Sequence, residues 1–379
     1  MEINYFFAEP HARIPVDSGM AGRPFLLSPT EPHPFLTLGD YFQGIADFVL
    51  QEEGRPLFSV LEKKLGFDHL TSRDIRHIDI SSEKHGALYH IARVTVAVRD
   101  EPVSFAATCA VTGEGGTCLR NEFEILRTLA GDAENPCLPE VYFLAENILK
   151  SGRNESGIVM MLGEWLEGYH EWHLSLDRKN SQKIRVWDTN AGHYFLTPDQ
   201  ERGILEQAAA ILTHFFDPAT GSQVHPWHHA AGDFIVSIRE GEIDVKLITV
   251  RSYQPLPPFP EQDRQKNILP LVAFFLHLVL RMRLDRLDGT GEPAWFAPYA
   301  LEPSLAGFFK AYGRKSEQPL PTAELLAVLQ SFSAEELLSL HTPLLELYQH
   351  QDPEDFALIL QNIVNHTREL WQCLQEYRY

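Results

Sequence analysis

The chain has 379 residues, 44% hydrophobic and 22% charged, enough to bury a sizeable core in one large two-lobed domain or two smaller ones. Lys and Arg number 32 against 52 Asp and Glu; the net charge of -20 repels phosphate backbones and anionic lipid heads, so neither nucleic acid nor membrane is expected as a partner. Cys109, Cys118, Cys137 and Cys373 stand far apart without a CxxC pair, which speaks against a zinc knuckle or a disulfide framework. With no basic-then-apolar opening after Met1, a reducing, cytoplasmic setting is the expectation.

Up to Pro34 the chain is rich in Pro, Gly and Ser without a steady period, and reads as an extended or partly disordered arm. Leu38, Tyr41, Phe42, Ile45, Phe48 and Val49 then recur at helical spacing, and a short second helix is predicted from Pro56 to Leu65. Three strands follow, Arg76 to Ser81, Ala87 to Val98 and Val103 to Val111, with Arg99 to Pro102 as the turn between the last two. The glycine-bearing stretch Thr112 to Gly116 reads as a loop, Leu119 to Ala130 as a helix, and Leu138 to Ala145 and Gly157 to Leu162 as two more strands.

From Glu164 to Phe195 the sequence is aromatic and polar; Trp165, Tyr169, Trp172, Trp187 and Tyr194 read as packing residues or as a ligand groove. Thr197 caps a helix that has Pro198 at its first position and runs to about Phe216. Phe234 to Ile238 and Asp244 to Val250 make a hairpin, and everything after Pro260 is helical in pattern. Ile268 to Leu280 is too short for the ~20 residues that span a bilayer and reads as a buried helix. Arg281, Arg283 and Arg286 with Asp285 and Asp288 read as ion pairs on a helix surface. In the last helix Asp352 caps, Pro353 comes first, and Phe356, Ile359, Leu360, Ile363, Val364, Leu370, Trp371 and Leu374 form an apolar stripe.

Three stretches in this order resemble the protein-kinase-like fold, nearest to aminoglycoside phosphotransferases and related small-molecule kinases. Arg120-Asn121-Glu122-Phe123-Glu124-Ile125-Leu126 is similar to that family's first helix, whose Glu pairs with a strand lysine. Met160 to Gly168 is similar to the strand and hinge beside the adenine, and His225 to Val236 to the catalytic loop entering its hairpin. The resemblance implies an α+β, two-lobed fold: an arm and helical preface over 1–75, a small antiparallel β-sheet lobe with one helix over 76–163, and a larger, mainly helical lobe with a β-hairpin over 164–379. It also implies ATP and magnesium as cofactors, with Glu122 and Glu164 on the nucleotide side and Asp233 in the place of the metal-binding Asn.

The departures from the pattern bear on chemistry. No lysine stands between Val103 and Val111; the family's catalytic Asp aligns with His228 or Trp227, and Thr249 takes the place of the hairpin's metal-binding Asp. Without the phosphate-holding cation and the principal metal carboxylate, ordinary phosphoryl transfer loses its positioning and charge neutralisation. The leading expectation is therefore a catalytically degenerate, kinase-like protein that binds a nucleotide, a small ligand or a protein partner in the interlobe cleft. The alternatives are an atypical phosphotransferase rebuilt on His228 as base, Asp233 and Lys84 as substitute cation, and a metal-dependent hydrolase built on His225, His228 and His229.

Overall fold

Alternating side chains lay down a large mixed sheet in the first half of the chain. The computed structural model describes residues 1–9, 12–28, 31–86, 88–99, 101–130, 136–189, 191–256 and 268–379. It divides into two units, Met1–Glu167 with Thr189–Ala191, and Gly168–Asp188 with Gly192–Tyr379.

The first unit runs β1 (Glu2–Glu9), β2 (Ala12–Pro15), α1 (Ser18–Ala21), β3 (Pro24–Ser28), β4 (Glu31–Thr37), α2 (Leu38–Val49), α3 (Arg55–Leu65), β5 (Ile75–His85), β6 (His90–Val98), β7 (Glu101–Ala110), α4 (Gly113–Leu129), β8 (Val141–Ser151) and β9 (Asn154–Glu164). Seven strands pair in the order β2-β1-β5-β6-β7-β9-β8, with β1 parallel to β5 and the other pairs antiparallel. Ile78, Ile80, Val94, Val96, Phe105, Ala107, Met160 and Leu162 share one core with Phe42, Ile45, Phe48, Leu57 and Leu61 of α2 and α3. Each of these side chains larger than Ala107 contributes about 1.5–3 kcal/mol by leaving water, which fixes the strand register because a one-residue slip would turn the whole set outward. On the other parity of β5, β6 and β7 stand Asp79, Ser81, Arg93, Thr95 and Ser104; Arg93 donates to Ser104 from Nε at 3.1 Å and from Nη2 at 3.0 Å, and pairs with Glu167.

Two expectations change here. The segment read as an arm supplies β1, which adds to the sheet beside β5 with Ile3 opposite Ile78 and Tyr5 opposite Ile80. The stretch read as a loop is the first turn of α4: Thr112 Oγ1 accepts the Gly115 amide at 3.0 Å, and the helix begins at Gly113. The glycines there serve packing. A Cβ on Gly115 would lie 2.7 Å from the Leu88 carbonyl oxygen, and one on Gly116 would lie 3.0 Å from Val159 Cγ2.

The second unit runs β10 (His170–Leu176), β11 (Gln182–Val186), β12 (Tyr194–Phe195), α5 (Pro198–His214), β13 (Ser222–Val224), β14 (Phe234–Arg239), β15 (Glu242–Leu247), β16 (Tyr253–Pro255), α6 (Leu269–Arg281), β17 (Leu284–Arg286), β18 (Pro293–Trp295), α7 (Leu301–Tyr312), α8 (Thr322–Ser331), α9 (Ala334–Leu340), α10 (Thr342–Gln351) and α11 (Pro353–Glu376). The aromatic stretch is largely strand: β10 and β11 extend the β14–β15 hairpin into a five-stranded sheet ordered β12-β11-β10-β14-β15. The hairpin turns at Glu240-Gly241, both at positive φ (54° and 88°), which matches the twist of the flanking strands. β17 and β18 form a small sheet within the region read as wholly helical. Together the two units make a mixed α+β chain with many helices, and no described helix is long and apolar enough to cross a membrane.

Two further corrections concern charge. Arg281 and Arg283 are buried, not surface residues: Arg281 Nη1 binds Asp352 at 2.7 Å and Arg283 Nη1 binds Glu369 at 2.5 Å. Asp352 therefore spends its carboxylate on Arg281 and makes no side-chain cap to α11. Of the stripe read on that helix, Ile359, Ile363, Leu370 and Leu374 are buried while Leu360, Val364 and Trp371 are exposed.

Candidate functional site

The segment from His225 to Asp233 joins β13 to β14, and β13 pairs with β16 on the far side of the hairpin, so the loop and the hairpin are held at both ends. Trp227, His229 and Phe234 anchor it in the core: the His229 ring lies 4.6 Å from Trp172, 5.5 Å from Trp227 and 5.7 Å from Phe234 between centroids. Arg281 fixes the backbone by donating to the Trp227 carbonyl through Nε at 3.0 Å and Nη2 at 2.6 Å.

Asp233 is fully buried, and N–H donors surround its carboxylate. Arg251 donates from Nη1 to Oδ2 at 2.9 Å and from Nη2 to Oδ1 at 2.7 Å, and the His228 amide donates to Oδ2 at 2.9 Å. This is the bidentate fork that a guanidinium makes with a carboxylate, and the guanidinium stays charged at any physiological pH. The charge that a divalent metal would neutralise here is already balanced within the chain. A divalent ion about 4 Å from Arg251 would meet a repulsion of roughly 8 kcal/mol at an effective dielectric of 20. The place expected for magnesium thus holds a structural ion pair.

His228 lies beside Asp233 in sequence, yet its ring is committed elsewhere. Nδ1 accepts the Ala230 amide at 2.9 Å, capping the short turn His229–Ala231. An accepting Nδ1 carries no proton, so the proton sits on Nε2, which lies 3.1 Å from Asp355 Oδ2 in the first turn of α11. Burial raises the Asp355 carboxyl, but the contact with His228 Nε2, with the nearby cations Arg281 and Arg286, outweighs it and holds Asp355 below the usual carboxylate range. With Nδ1 spent on the Ala230 amide and Nε2 facing Asp355 at 3.1 Å, His228 reads as a cap and a clamp between loop and helix, which weighs against the general-base expectation.

The other two histidines point to different partners. His225 Nε2 lies 2.8 Å from Gln351 Oε1, and burial, with Arg281 nearby, pushes its pKa down to about 4. His229 is enclosed by aromatic rings, and burial keeps its imidazole neutral, far below its ordinary range. Among the described residues no group of three or more His, Cys, Asp and Glu side chains converges as metal ligands do, so the hydrolase expectation finds no donor set.

Glu122, Glu164 and Lys84 belong to the first unit. Glu122 is buried on α4. Glu164 closes β9: its Oε2 accepts the Glu140 amide at 3.2 Å and its Oε1 lies 4.0 Å from Lys64 Nζ, so it ties the start of β8 and α3 together. Lys84 contributes backbone to β5 opposite Ile91, and its side chain lies outside what the structure describes. Thr108 and Cys109, where a strand lysine would stand, are both buried, and the thiol of Cys109 is pushed up by burial.

Sequence reasoning missed Arg251 and Asp355, the partners that decide what Asp233 and His228 do, and it also missed His173. His173 is 2% exposed, with Nε2 3.6 Å from Glu171 and Nδ1 3.8 Å from Asp285. Burial disfavours its charge, but Asp285 and Glu171 reverse that and hold its pKa up at about 9. Asp285 is itself held by the Leu174 amide at 2.7 Å and the Arg286 amide at 2.8 Å. A basic residue two places beyond Thr249 was the visible trace of Arg251; no local signal marks Asp355.

No protein-family model matches the chain, and no curated protein matches it. Among solved structures, a kinase domain from Plasmodium aligns with 82% of this chain and 90% of its own, at 10% identity and a TM-score of 0.29. A superposition that loose carries no argument about this chain's chemistry, which rests on its own residues.

Proposed function

We propose that this chain is a kinase-like protein that has lost phosphoryl transfer and acts by binding a small ligand or a protein partner. The observation that carries the reading is the two-point grip of Arg251 on Asp233, 2.9 and 2.7 Å, at the position the resemblance assigns to a magnesium ligand. Two features support it: the resemblance from Glu122 through the hinge to the β14–β15 hairpin, and the absence of lysine from β7. A resident guanidinium does for Asp233 what a metal would do, without supplying an ion that can bridge phosphates and follow the charge of a transition state.

In this reading Asp233 and His228 are anchors. They fix the loop to the hairpin end and to α11, and a rigid loop suits a recognition surface better than a catalytic one that must admit metal and nucleotide. Thermal-shift measurements with ATP and ADP, each with and without magnesium, test it. Any stabilisation by nucleotide is expected to be the same in both conditions; a shift that requires magnesium contradicts the reading.

A further inference from the structure

The packing of α11 includes a buried histidine pair. His341 sits between α9 and α10, and His366 at the middle of α11; both are fully buried, and their rings meet edge to face at 5.6 Å with an interplanar angle of 86°. Trp295 of β18 stands edge-on to His366 at 5.7 Å. His341 Nδ1 donates to the Leu337 carbonyl at 2.8 Å, which leaves the Nε2 lone pair facing inward. Among the described residues His341 Nε2 and both nitrogens of His366 have no hydrogen-bond partner.

Protonation of an imidazole so placed is disfavoured, because it would put a charge in a buried site with no described protein acceptor for it. Among the described residues the neighbourhood offers no unspent counter-charge. Arg283, which acts on His366 from the segment between α6 and β17, is a cation, and Glu369 on α11 is already bound to it at 2.5 Å. Of the other elements packed on α11, α8 carries Glu324, α9 carries Glu335 and Glu336, and α10 carries Glu346 and His350, all exposed; β18 carries no titratable group, and Glu302 of α7 pairs with Arg202. Arg368, next to Glu369 on α11, is exposed as well.

We propose that His341 and His366 form an acid-sensitive latch, which holds α11 against the α9–α10 junction while both rings are neutral and releases it when they take up protons. The directions of titration agree: burial pushes His341 down to about 4, and burial, then His341 and Arg283, push His366 well below its ordinary 6.5. A histidine held neutral in the fold but free to charge once opened makes opening easier by about tenfold per pH unit below its ordinary value.

Hydrogen exchange of the α11 amides in the full chain, corrected for intrinsic rates, reads the opening directly. The expected result is an opening constant that climbs about tenfold per pH unit for each histidine as pH falls below 6.5, and a slope cut back in His341→Phe/His366→Phe, while His350→Phe leaves it unchanged. An α11 opening indifferent to pH, or a double variant with the parent slope, overturns the latch. Should the double variant not fold, proton NMR titration of the parent protein decides: the two imidazoles are expected to charge together with α11 opening, and titration near the ordinary value with α11 still protected contradicts the proposal.

Discussion

Arg251 holds Asp233 by both carboxylate oxygens, 2.7 and 2.9 Å away, and the carboxylate has no exposed surface. Removing the guanidinium leaves a buried charge without its partner, at a cost of about 3–5 kcal/mol, whereas replacing the carboxylate leaves no stranded anion. Arg251→Ala is therefore expected to lower the denaturation midpoint of the second unit more than Asp233→Asn does, since the amide oxygen of Asn still accepts the His228 N–H. Urea unfolding of both variants measures the order; equal losses, or Asp233→Asn as the worse, would contradict the ion-pair account.

His173 predicts how stability varies on the alkaline side. Unfolded, its imidazole loses its proton near 6.5; folded, with burial opposing and Asp285 and Glu171 prevailing, it keeps the proton to about 9. Its contribution is complete below 6.5 and is lost as pH rises through about 9, on the order of 3 kcal/mol in all at about 1.4 kcal/mol per unit. His173→Gln should flatten the decline of the urea midpoint across that window. A parent profile that is already flat there would refute the paired imidazolium.

Gly307 predicts a close helix contact. A Cβ at this position of α7 would lie 2.1 Å from the Glu206 carbonyl oxygen of α5, backbone that has nowhere to go. Gly307→Ala should force the two helices apart and cost at least the ~1–3 kcal/mol of an overpacked core, outweighing the gain in helix propensity from Ala. A midpoint at or above that of the parent protein would show that the helices are not so close.

What the sequence discloses about this fold follows the range of the forces involved. Strands β5 to β7 alternate with period two and the start of α5 carries its capping residues, Thr197 and Pro198, so local pattern places them correctly. Strand β1 escaped because its reason for being a strand lies in β5, some seventy residues away, and the Pro- and Gly-rich flanks dominate its local signal. Glycines at Gly113, Gly115 and Gly116 suggest a loop because glycine usually marks one; here Gly115 and Gly116 mark places where a neighbour lies too near for a side chain. At the site, His228 and Asp233 were visible as residue types, while Arg251 and Asp355, which spend their donors and acceptors, are brought to them only by the tertiary fold.

In the reading proposed here, the Arg251 guanidinium stands where a working kinase-like site would hold its metal. Phosphoryl transfer from ATP, followed as ADP release in the presence of magnesium or manganese, tests it most directly. The account predicts turnover no higher than that of ATP alone, for the parent protein and for Asp233→Asn alike. Metal-dependent turnover that Asp233→Asn abolishes would contradict it.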